Sequence, residues 1–153
     1  MTEWEREAES WVRWARTPGH DSYWYYAPSF SDQIVPEPGR HTLEIGCGEG
    51  RVARDLRQRG HHVVALDSSP TLTSYARRDD PGGRYLIADA AALPFAEGTF
   101  DIVVAHNSLM DMQDMSSTVA EAARVLQPGG RLCLSVTHPV SVANLIPTMS
   151  HPS

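Results

Sequence analysis

The chain has 153 residues, enough for one domain with a hydrophobic core, and its composition of 41% hydrophobic and 21% charged residues is that of an ordinary globular protein. The net charge is -6, and all thirteen cationic side chains are arginines. The lack of lysine excludes Walker-type phosphate loops, Schiff-base enzymes and Tyr-x-x-x-Lys dehydrogenases, and an acidic chain without a basic stripe is not expected to bind nucleic acid.

Neither a membrane segment nor a secretion signal is expected. No apolar run approaches the roughly 20 residues that span a bilayer, and the first ten residues are acidic and polar. The two cysteines, Cys47 and Cys133, lie far apart in apolar or glycine-rich surroundings. We therefore expect a cytoplasmic protein with neither a disulfide framework nor a cysteine-based metal site.

Residues 1–39 differ from the rest, because eight of the twelve aromatic residues lie in the first thirty positions. Thr2 followed by Glu5 resembles a capping box, which predicts an amphipathic helix that ends near residues 18–19. A linker with several prolines, beginning at Pro28, is predicted to follow. The aromatic side chains of this segment, Trp11, Trp14 and Trp24 among them, could form a lid that excludes water from a ligand, but for the tryptophans we favour a core position. Three tyrosines fit a lid or the core equally well: Tyr23, Tyr25 and Tyr26.

From residue 40 onwards, strand and helix patterns alternate. Five apolar segments are predicted strands, at residues 41–46, 62–67, 84–89, 100–106 and 131–137. Predicted helices lie between them, at residues 52–59, 70–78 and 117–126. Continuously apolar strands separated by helices are typical of a parallel sheet that is buried on both faces, with its ligand crevice at the carboxyl ends of the strands.

Three features at successive strand ends carry candidate chemistry. The segment EIGCGEGR, residues 44–51, leaves the first strand, and its alternate glycines permit positive φ and a close approach of backbone to a ligand. Asp67 ends the second strand, where an acid can accept hydrogen bonds from both hydroxyls of a ribose. Asp89 ends the third, where its carboxylate can accept from an adenine amino group while the N–H of Ala90 donates to the ring. The alternative interpretation is that the glycine segment is a tight turn without a ligand and that the two aspartates are ordinary helix or loop caps.

These motifs, together with GTFDIVVAHNSL and RVLQPGGRL further along, resemble the ordered motifs of class I S-adenosylmethionine (SAM)-dependent methyltransferases. The resemblance covers about residues 40–138. It implies that the glycine loop holds the methionine end of SAM, the acid after the second strand the ribose, and the acid after the third strand the adenine. The cofactor-binding residues that it implies are Glu44, Gly46, Cys47, Gly48, Gly50, Asp67, Ser68, Asp89, Ala90 and His106.

Two histidines are candidate catalytic residues, because they follow the fourth and fifth strands. His106 would line the cofactor or take a proton from the methyl acceptor, and His138 would assist. A polar rim residue with no catalytic task is an equally good interpretation of His106 and a better one of His138. Two histidines without a third ligand do not indicate a metal site.

We predict a three-layer, Rossmann-like α/β fold with a doubly wound parallel sheet of strand order 3-2-1-4-5. The N-terminal helical cover occupies residues 1–39, the SAM-binding core residues 40–138 and a tail residues 139–153. The family normally continues through another helix and two more strands, so the resemblance implies that the last two strands are lacking. Strand 5 is then an unprotected edge, which a homodimer, the tail or a partner is expected to cover.

The implied reaction is methyl transfer from SAM, with S-adenosylhomocysteine as the product. The sequence after strand 4 lacks the Asn/Asp-Pro-Pro-aromatic tetrad of base- and glutamine-directed amino methyltransferases and the Pro-Cys nucleophile of cytosine C5 enzymes, so a small-molecule acceptor is expected. A SAM- or partner-binding module without turnover stays open, because the tail is short. A nicotinamide-dependent dehydrogenase is the further alternative, although the third glycine comes one residue too early for its G-x-G-x-x-G fingerprint.

Overall fold

The computed structural model describes residues 1–137, so the predicted tail and the candidate residue His138 lie outside the described residues. The helices are α1 (Glu3–Ala15), α2 (Tyr23–Gln33), α3 (Arg51–Gln58), α4 (Pro70–Asp79) and α5 (Met115–Val125). The strands are β1 (Thr42–Ile45), β2 (Val63–Asp67), β3 (Arg84–Ile87), β4 (Phe100–His106) and β5 (Leu126–Ser135). Within residues 1–137, no helix combines the length and the apolar character that crossing a membrane requires.

The five strands form one sheet in the order β3-β2-β1-β4-β5, and all four pairings are parallel. The predicted fold class and strand order are therefore confirmed. β1 lies between β2 and β4 and is buried along its whole length. Because the strands are parallel, their carboxyl ends meet at one edge of the sheet, where the sequence places its candidate residues.

Helices cover both faces of the sheet. On one face, α2, α3 and α4 contribute Phe30, Leu56 and Ala76 to a core cluster with the inward side chains of the strands. On the other face, α5 and the loop after β3 contribute Ala122, Val125 and Leu93. The result is the three-layer arrangement that alternating strands and helices predict. α1 stands apart, since it packs with α4 in a third, smaller cluster.

A second helix replaces the predicted proline linker. α2 runs through Pro28, which has no N–H to donate to the carbonyl four residues earlier. The helix nevertheless forms, because Ala27 and Phe30 on one of its faces are buried, Phe30 in the core cluster beside the sheet. The linker prediction was wrong at this point because tertiary packing outweighs the local cost of a proline.

The tryptophans are not all core residues. Trp14 and Trp24 are 46% and 42% exposed, so their assignment to the core was wrong. The small residues Ala8 and Ala15 of α1 are completely buried instead. Trp11 is half-buried. The three tyrosines differ in burial, because Tyr23 packs against the core, whereas Tyr25 and Tyr26 are exposed.

The two outer strands are less buried than the sequence predicts. β3 buries only Tyr85 among its four residues, because an edge strand has a neighbour on one side alone. β5 begins five residues earlier than predicted, and its register against β4 shifts between Phe100 and Ile102. Among the described residues, β5 pairs with β4 only, and its Leu134 is 40% exposed.

Candidate functional site at the carboxyl edge of the sheet

The glycine loop connects β1 to α3 and turns sharply at all three of its alternate glycines. Gly46, Gly48 and Gly50 have φ values of 70°, 54° and 87°, which is the backbone conformation that the sequence predicts for them. The Cys47 N–H donates to the Leu66 carbonyl at 2.9 Å. The loop is therefore held against the end of β2, and its backbone lies beside the next strand end.

Asp67 ends β2 directly beside this loop. Its carboxylate oxygens accept from the Gly48 N–H at 2.8 Å and the Ser69 N–H at 2.9 Å. The side chain is almost fully buried, and the desolvation raises its pKa, while hydrogen bonds from the Ser69 and Gly48 N–H groups oppose the rise. The structure thus brings together two of the predicted site elements, the glycine loop and the acid after the second strand.

Glu44 lies in the middle of the sheet, two residues before the loop begins. It is 2% exposed, and within residues 1–137 its Oε2 has no hydrogen-bond partner. Burial raises the pKa of Glu44 to about 8, and the nearby charge of Asp67 adds to the rise. At neutral pH this carboxyl is mainly protonated, and it retains a free acceptor at the loop.

Glu49 in the same loop is equally buried but fully paired. Its Oε2 accepts from Arg16 Nη2 at 2.7 Å and from Arg54 Nη2 at 2.9 Å. Its charge is therefore neutralised by one guanidinium from the N-terminal cover and one from α3. Glu44 differs from Glu49 in that one of its oxygens, Oε2, has no hydrogen-bond partner among the described residues.

The third strand end contributes a more exposed carboxylate. The Ala88 N–H donates to the Asp67 carbonyl at 3.1 Å, so the chain after β3 passes close to the end of β2. Asp89 follows, exposed, and its Oδ1 accepts from the Ala91 N–H at 2.9 Å. Ala90 is buried, whereas Ser68, which follows Asp67, is exposed. These residues lie on the rim beyond the glycine loop.

His106 ends β4 and is packed between aromatic rings. Its ring centroid lies 5.0 Å from that of Phe30 and 6.1 Å from that of Tyr23, both in edge-to-face contact. Burial lowers the pKa of His106 to about 4, and the charge of Arg51 acts in the same direction. The imidazole is therefore neutral at pH 7, and a group with so low a pKa is a weak proton acceptor.

The residues after His106 were not predicted as site residues. Asn107 adopts a positive φ of 49°, and its side chain donates to the Ser22 hydroxyl at 3.1 Å. Ser108 donates to the Ile45 carbonyl at 2.8 Å, and a β-carbon built on Gly46 would lie 2.6 Å from the β-carbon of Ser108. Ser108 therefore closes one side of the glycine loop. No pattern around position 108 signals this contact, since its partners precede it by more than sixty residues.

Two residues of α1 also reach the site: Trp11, for which a lid was the alternative to the preferred core position, and Glu5, which the sequence did not indicate. A β-carbon on Gly48 would lie 3.1 Å from the Trp11 ring, so this ring covers the loop. The predicted capping box forms only in part: Thr2 accepts from the Glu5 N–H at 3.2 Å, but the Glu5 carboxylate does not return to Thr2. It accepts instead from Ser69 and Thr71 at the start of α4.

The fold and these contacts define a class of protein. A parallel sheet of this order, with a glycine loop after β1 and acids after β2 and β3, is a Rossmann-like cofactor-binding domain. Residues 43–134 match the family model described as a methyltransferase domain. The chain belongs to the class I SAM-dependent methyltransferase family.

The similar proteins are methyltransferases and proteins of that fold. The chain is 33% identical to the demethylmenaquinone methyltransferase of Renibacterium salmoninarum over 109 residues, which are 71% of this chain and 46% of that protein. The structure of a SAM-dependent methyltransferase from Mesorhizobium loti matches with a TM-score of 0.67 and 27% identity, over 78% of this chain and 56% of that one. The [4+2]-cyclase SpnF matches with a TM-score of 0.68 and 25% identity, over 76% and 46%.

The chain spans just under half the length of the first curated relatives that it matches. The family match favours methyl transfer over the dehydrogenase alternative. The residues at the carboxyl edge also fit SAM, because the free Oε2 of Glu44 is a buried acceptor that suits the ammonium of the methionine end. Glu44 and Gly48 would hold that end, and Asp67 the ribose.

A substitution of Asp67 tests its place in the site. We expect Asp67→Ala to weaken S-adenosylhomocysteine binding by about 1.5–3 kcal/mol, or about ten- to a hundredfold, because charged hydrogen bonds are lost. The variant also leaves the N–H groups of Gly48 and Ser69 unpaired, so a lower unfolding temperature is expected as well. Calorimetric titration measures the affinity, with the exposed Glu97→Ala as control. A folded Asp67→Ala protein with unchanged affinity would remove Asp67 from the site.

The raised pKa of Glu44 predicts that cofactor binding releases a proton. An ammonium ligand favours the ionised carboxylate, so with a pKa of about 8 binding at pH 7 should release about 0.9 proton. Titrations in phosphate and in Tris, whose ionisation enthalpies differ, measure this number. In Glu44→Gln the release should vanish. A binding enthalpy that is the same in both buffers for the parent protein would contradict the assignment.

The same group makes a prediction that needs no ligand. The pKa of Glu44 is higher in the folded chain than its ordinary value of 4.5, so its contribution to stability is complete below about pH 4.5 and is lost as pH rises through about 8. As pH rises over this window, the free energy of unfolding of the parent should therefore decrease relative to that of Glu44→Gln. Equal slopes would show that Glu44 ionises normally.

Proposed function

We propose that this chain binds SAM at the carboxyl edge of its sheet and transfers the methyl group to a small-molecule acceptor. The observation that carries the proposal is the combination of an unpartnered, fully buried Oε2 on Glu44 with the glycine loop and Asp67 beside it. A plain structural turn gives no reason to bury a carboxyl group without a partner, since that costs free energy. A ligand ammonium would supply the missing partner.

The proposed contacts follow the order of the strands. Gly46, Gly48 and Gly50 let the cofactor approach the loop backbone, and Cys47 fills the core beneath it. Asp67, with Ser68 after it, would accept from the ribose hydroxyls. Asp89 and the N–H of Ala90 would bind the adenine, on the exposed rim beyond β3. His106 would line the site next to the reacting centre.

The reaction requires little chemical catalysis from the protein. Bound SAM supplies a methyl group on a sulfonium that is already an activated leaving group, so the protein mainly has to align the acceptor. His106 is a weak base because of its low pKa, and an acceptor that must lose a proton would depend on its own acidity or on another group. The ring of Tyr23, 6.1 Å from that of His106, would help to exclude water.

The acceptor is proposed to be a small molecule. Support comes from the relative in Renibacterium salmoninarum, whose name specifies demethylmenaquinone, and from the absence of the base-modifying motifs noted above. The proposal includes a cytoplasmic location, which agrees with the unpaired, buried cysteines Cys47 and Cys133.

Two measurements on the same protein test this function. Calorimetric titration with S-adenosylhomocysteine should give saturable binding, and Glu44→Ala should weaken it. Incubation with methyl-labelled SAM and a panel of quinones, phenols, carboxylic acids and amines should then give a labelled product. Failure to bind S-adenosylhomocysteine would reject the cofactor proposal.

A module that binds SAM without methyl transfer is the second candidate. The specific support is the fold match to a [4+2]-cyclase, because one fold can host different reactions. Binding of S-adenosylhomocysteine with no labelled product from any acceptor class would favour this candidate.

The exposed edge of β5 is proposed to form a homodimer. Leu134 and Val136 are 40% and 53% exposed, and an open edge strand is a template for another strand. We expect light scattering to give the mass of two chains at micromolar concentration and Val136→Lys to give the mass of one. Met115→Lys, at a similarly exposed position on α5, is the control. A monomeric parent protein would contradict the proposal.

A further inference from the structure

α1 is attached to the domain differently from α2. Ala8 and Val12 of α1 pack against Leu72 of α4 in a small cluster that is separate from both clusters beside the sheet. α2, in contrast, buries Phe30 in one of the clusters beside the sheet. The N-terminal cover therefore consists of one helix that belongs to the core and one whose buried apolar residues pack on α4.

α1 also lies directly over the proposed cofactor contacts. Gly48 is buried, and the ring of Trp11 lies 3.1 Å from the position that a β-carbon on Gly48 would occupy. The carboxylate of Asp67 is 9% exposed and accepts from backbone N–H groups. A ligand that approaches Gly48 from this side has to displace Trp11.

The N-terminal half of α1 is held to α4 by two acidic side chains, Glu5 and Glu9, and the Glu9 carboxylate accepts from the Tyr75 hydroxyl. The Glu5 carboxylate accepts from the Ser69 hydroxyl, from the Thr71 N–H at 3.2 Å and from the Thr71 hydroxyl at 2.5 Å. Hydrogen bonds from Ser69 and Thr71 keep the pKa of Glu5 below its usual value. Because α4 begins at Pro70, the carboxylate also faces the positive end of that helix.

The other end of α1 is tied to α3 and to α2. Arg51, the first residue of α3, donates to the Ala15 carbonyl at 3.3 Å and forms an ion pair with Asp21. Its guanidinium also lies 4.2 Å from the ring centroid of Tyr23. Between these ties the chain turns at Gly19, whose φ is 83°. This end is suited to be a pivot, because several contacts fix it and a flexible residue lies within it.

From these contacts we propose that α1 is a gate over the cofactor site. It pivots about residues 16–22, releases its Glu5 end from α4, and carries Trp11 away from Gly48 when the cofactor enters. The inference rests on the proposed function for the identity of the ligand. Since only the open form admits the ligand, the closed population lowers the apparent affinity and limits the rate of binding.

Rapid mixing with S-adenosylhomocysteine, followed by tryptophan fluorescence, tests the gate. The observed rate constant should level off at high ligand concentration, where opening becomes limiting. Glu5→Ala removes charged hydrogen bonds from the closed form and should raise the plateau about tenfold. Glu7→Ala, an exposed position on the same helix, should leave it unchanged. Rates that rise linearly with the same slope in the parent and in Glu5→Ala would overturn the gate.

A measurement without ligand separates the gate from the cofactor assignment. In protein labelled with 5-fluorotryptophan, the Trp11 fluorine resonance, assigned with Trp11→Phe, should move towards that of the free amino acid in Glu5→Ala but not in Glu7→Ala. An unmoved resonance overturns the gate even where S-adenosylhomocysteine binds. A moved resonance in a protein that does not bind this ligand supports the hinged helix and rejects the proposed function.

Discussion

The carboxylate of Asp67 joins three parts of the candidate site. Its hydrogen bonds from the Gly48 and Ser69 N–H groups connect the loop after β1, the end of β2 and the start of α4. A nearly buried carboxylate is costly unless its oxygens are satisfied, and backbone N–H groups satisfy them here. The bond from Gly48 fixes the glycine loop against β2, together with the bond from the Cys47 N–H to the Leu66 carbonyl. The bond from Ser69 fixes the start of α4, where the Glu5 carboxylate of the covering helix also binds.

Two glutamates five residues apart have the same side chain but different surroundings, and therefore different properties. Glu44 and Glu49 are both 2% exposed. Glu49 is paired with Arg16 and Arg54, whereas burial raises the pKa of Glu44 to about 8. One is therefore a structural anion, and the other is a neutral acid with a free oxygen.

The features that the sequence predicts well are those determined by neighbouring residues. The bounds of β4, the positive φ of Gly46, Gly48 and Gly50, and the first-turn proline of α4 follow from local patterns. The parallel sheet follows from the alternation of apolar strands and helices.

The sequence did not predict contacts that depend on distant segments. Glu5 and Ser69 are 64 residues apart, and Ser108 and Ile45 are 63 apart. The capping-box pattern correctly predicted that a helix begins near Glu5. The Glu5 carboxylate, however, forms its hydrogen bonds with α4 and not within α1. Pro28 likewise predicts a break in the chain when only its neighbours are considered. The burial of Phe30 outweighs that local preference.

The lysine-free composition has a consequence for the N-terminal cover. The cations that tie it to the core, Arg16 and Arg51, are guanidinium groups, which keep their protons at any pH at which proteins fold. Alkali therefore does not break these ion pairs. Acid breaks them only by protonating the carboxylates of Asp21, Glu49 and Asp79. The response of these two arginine ties to protons is thus one-sided: base leaves them intact, whereas acid weakens them.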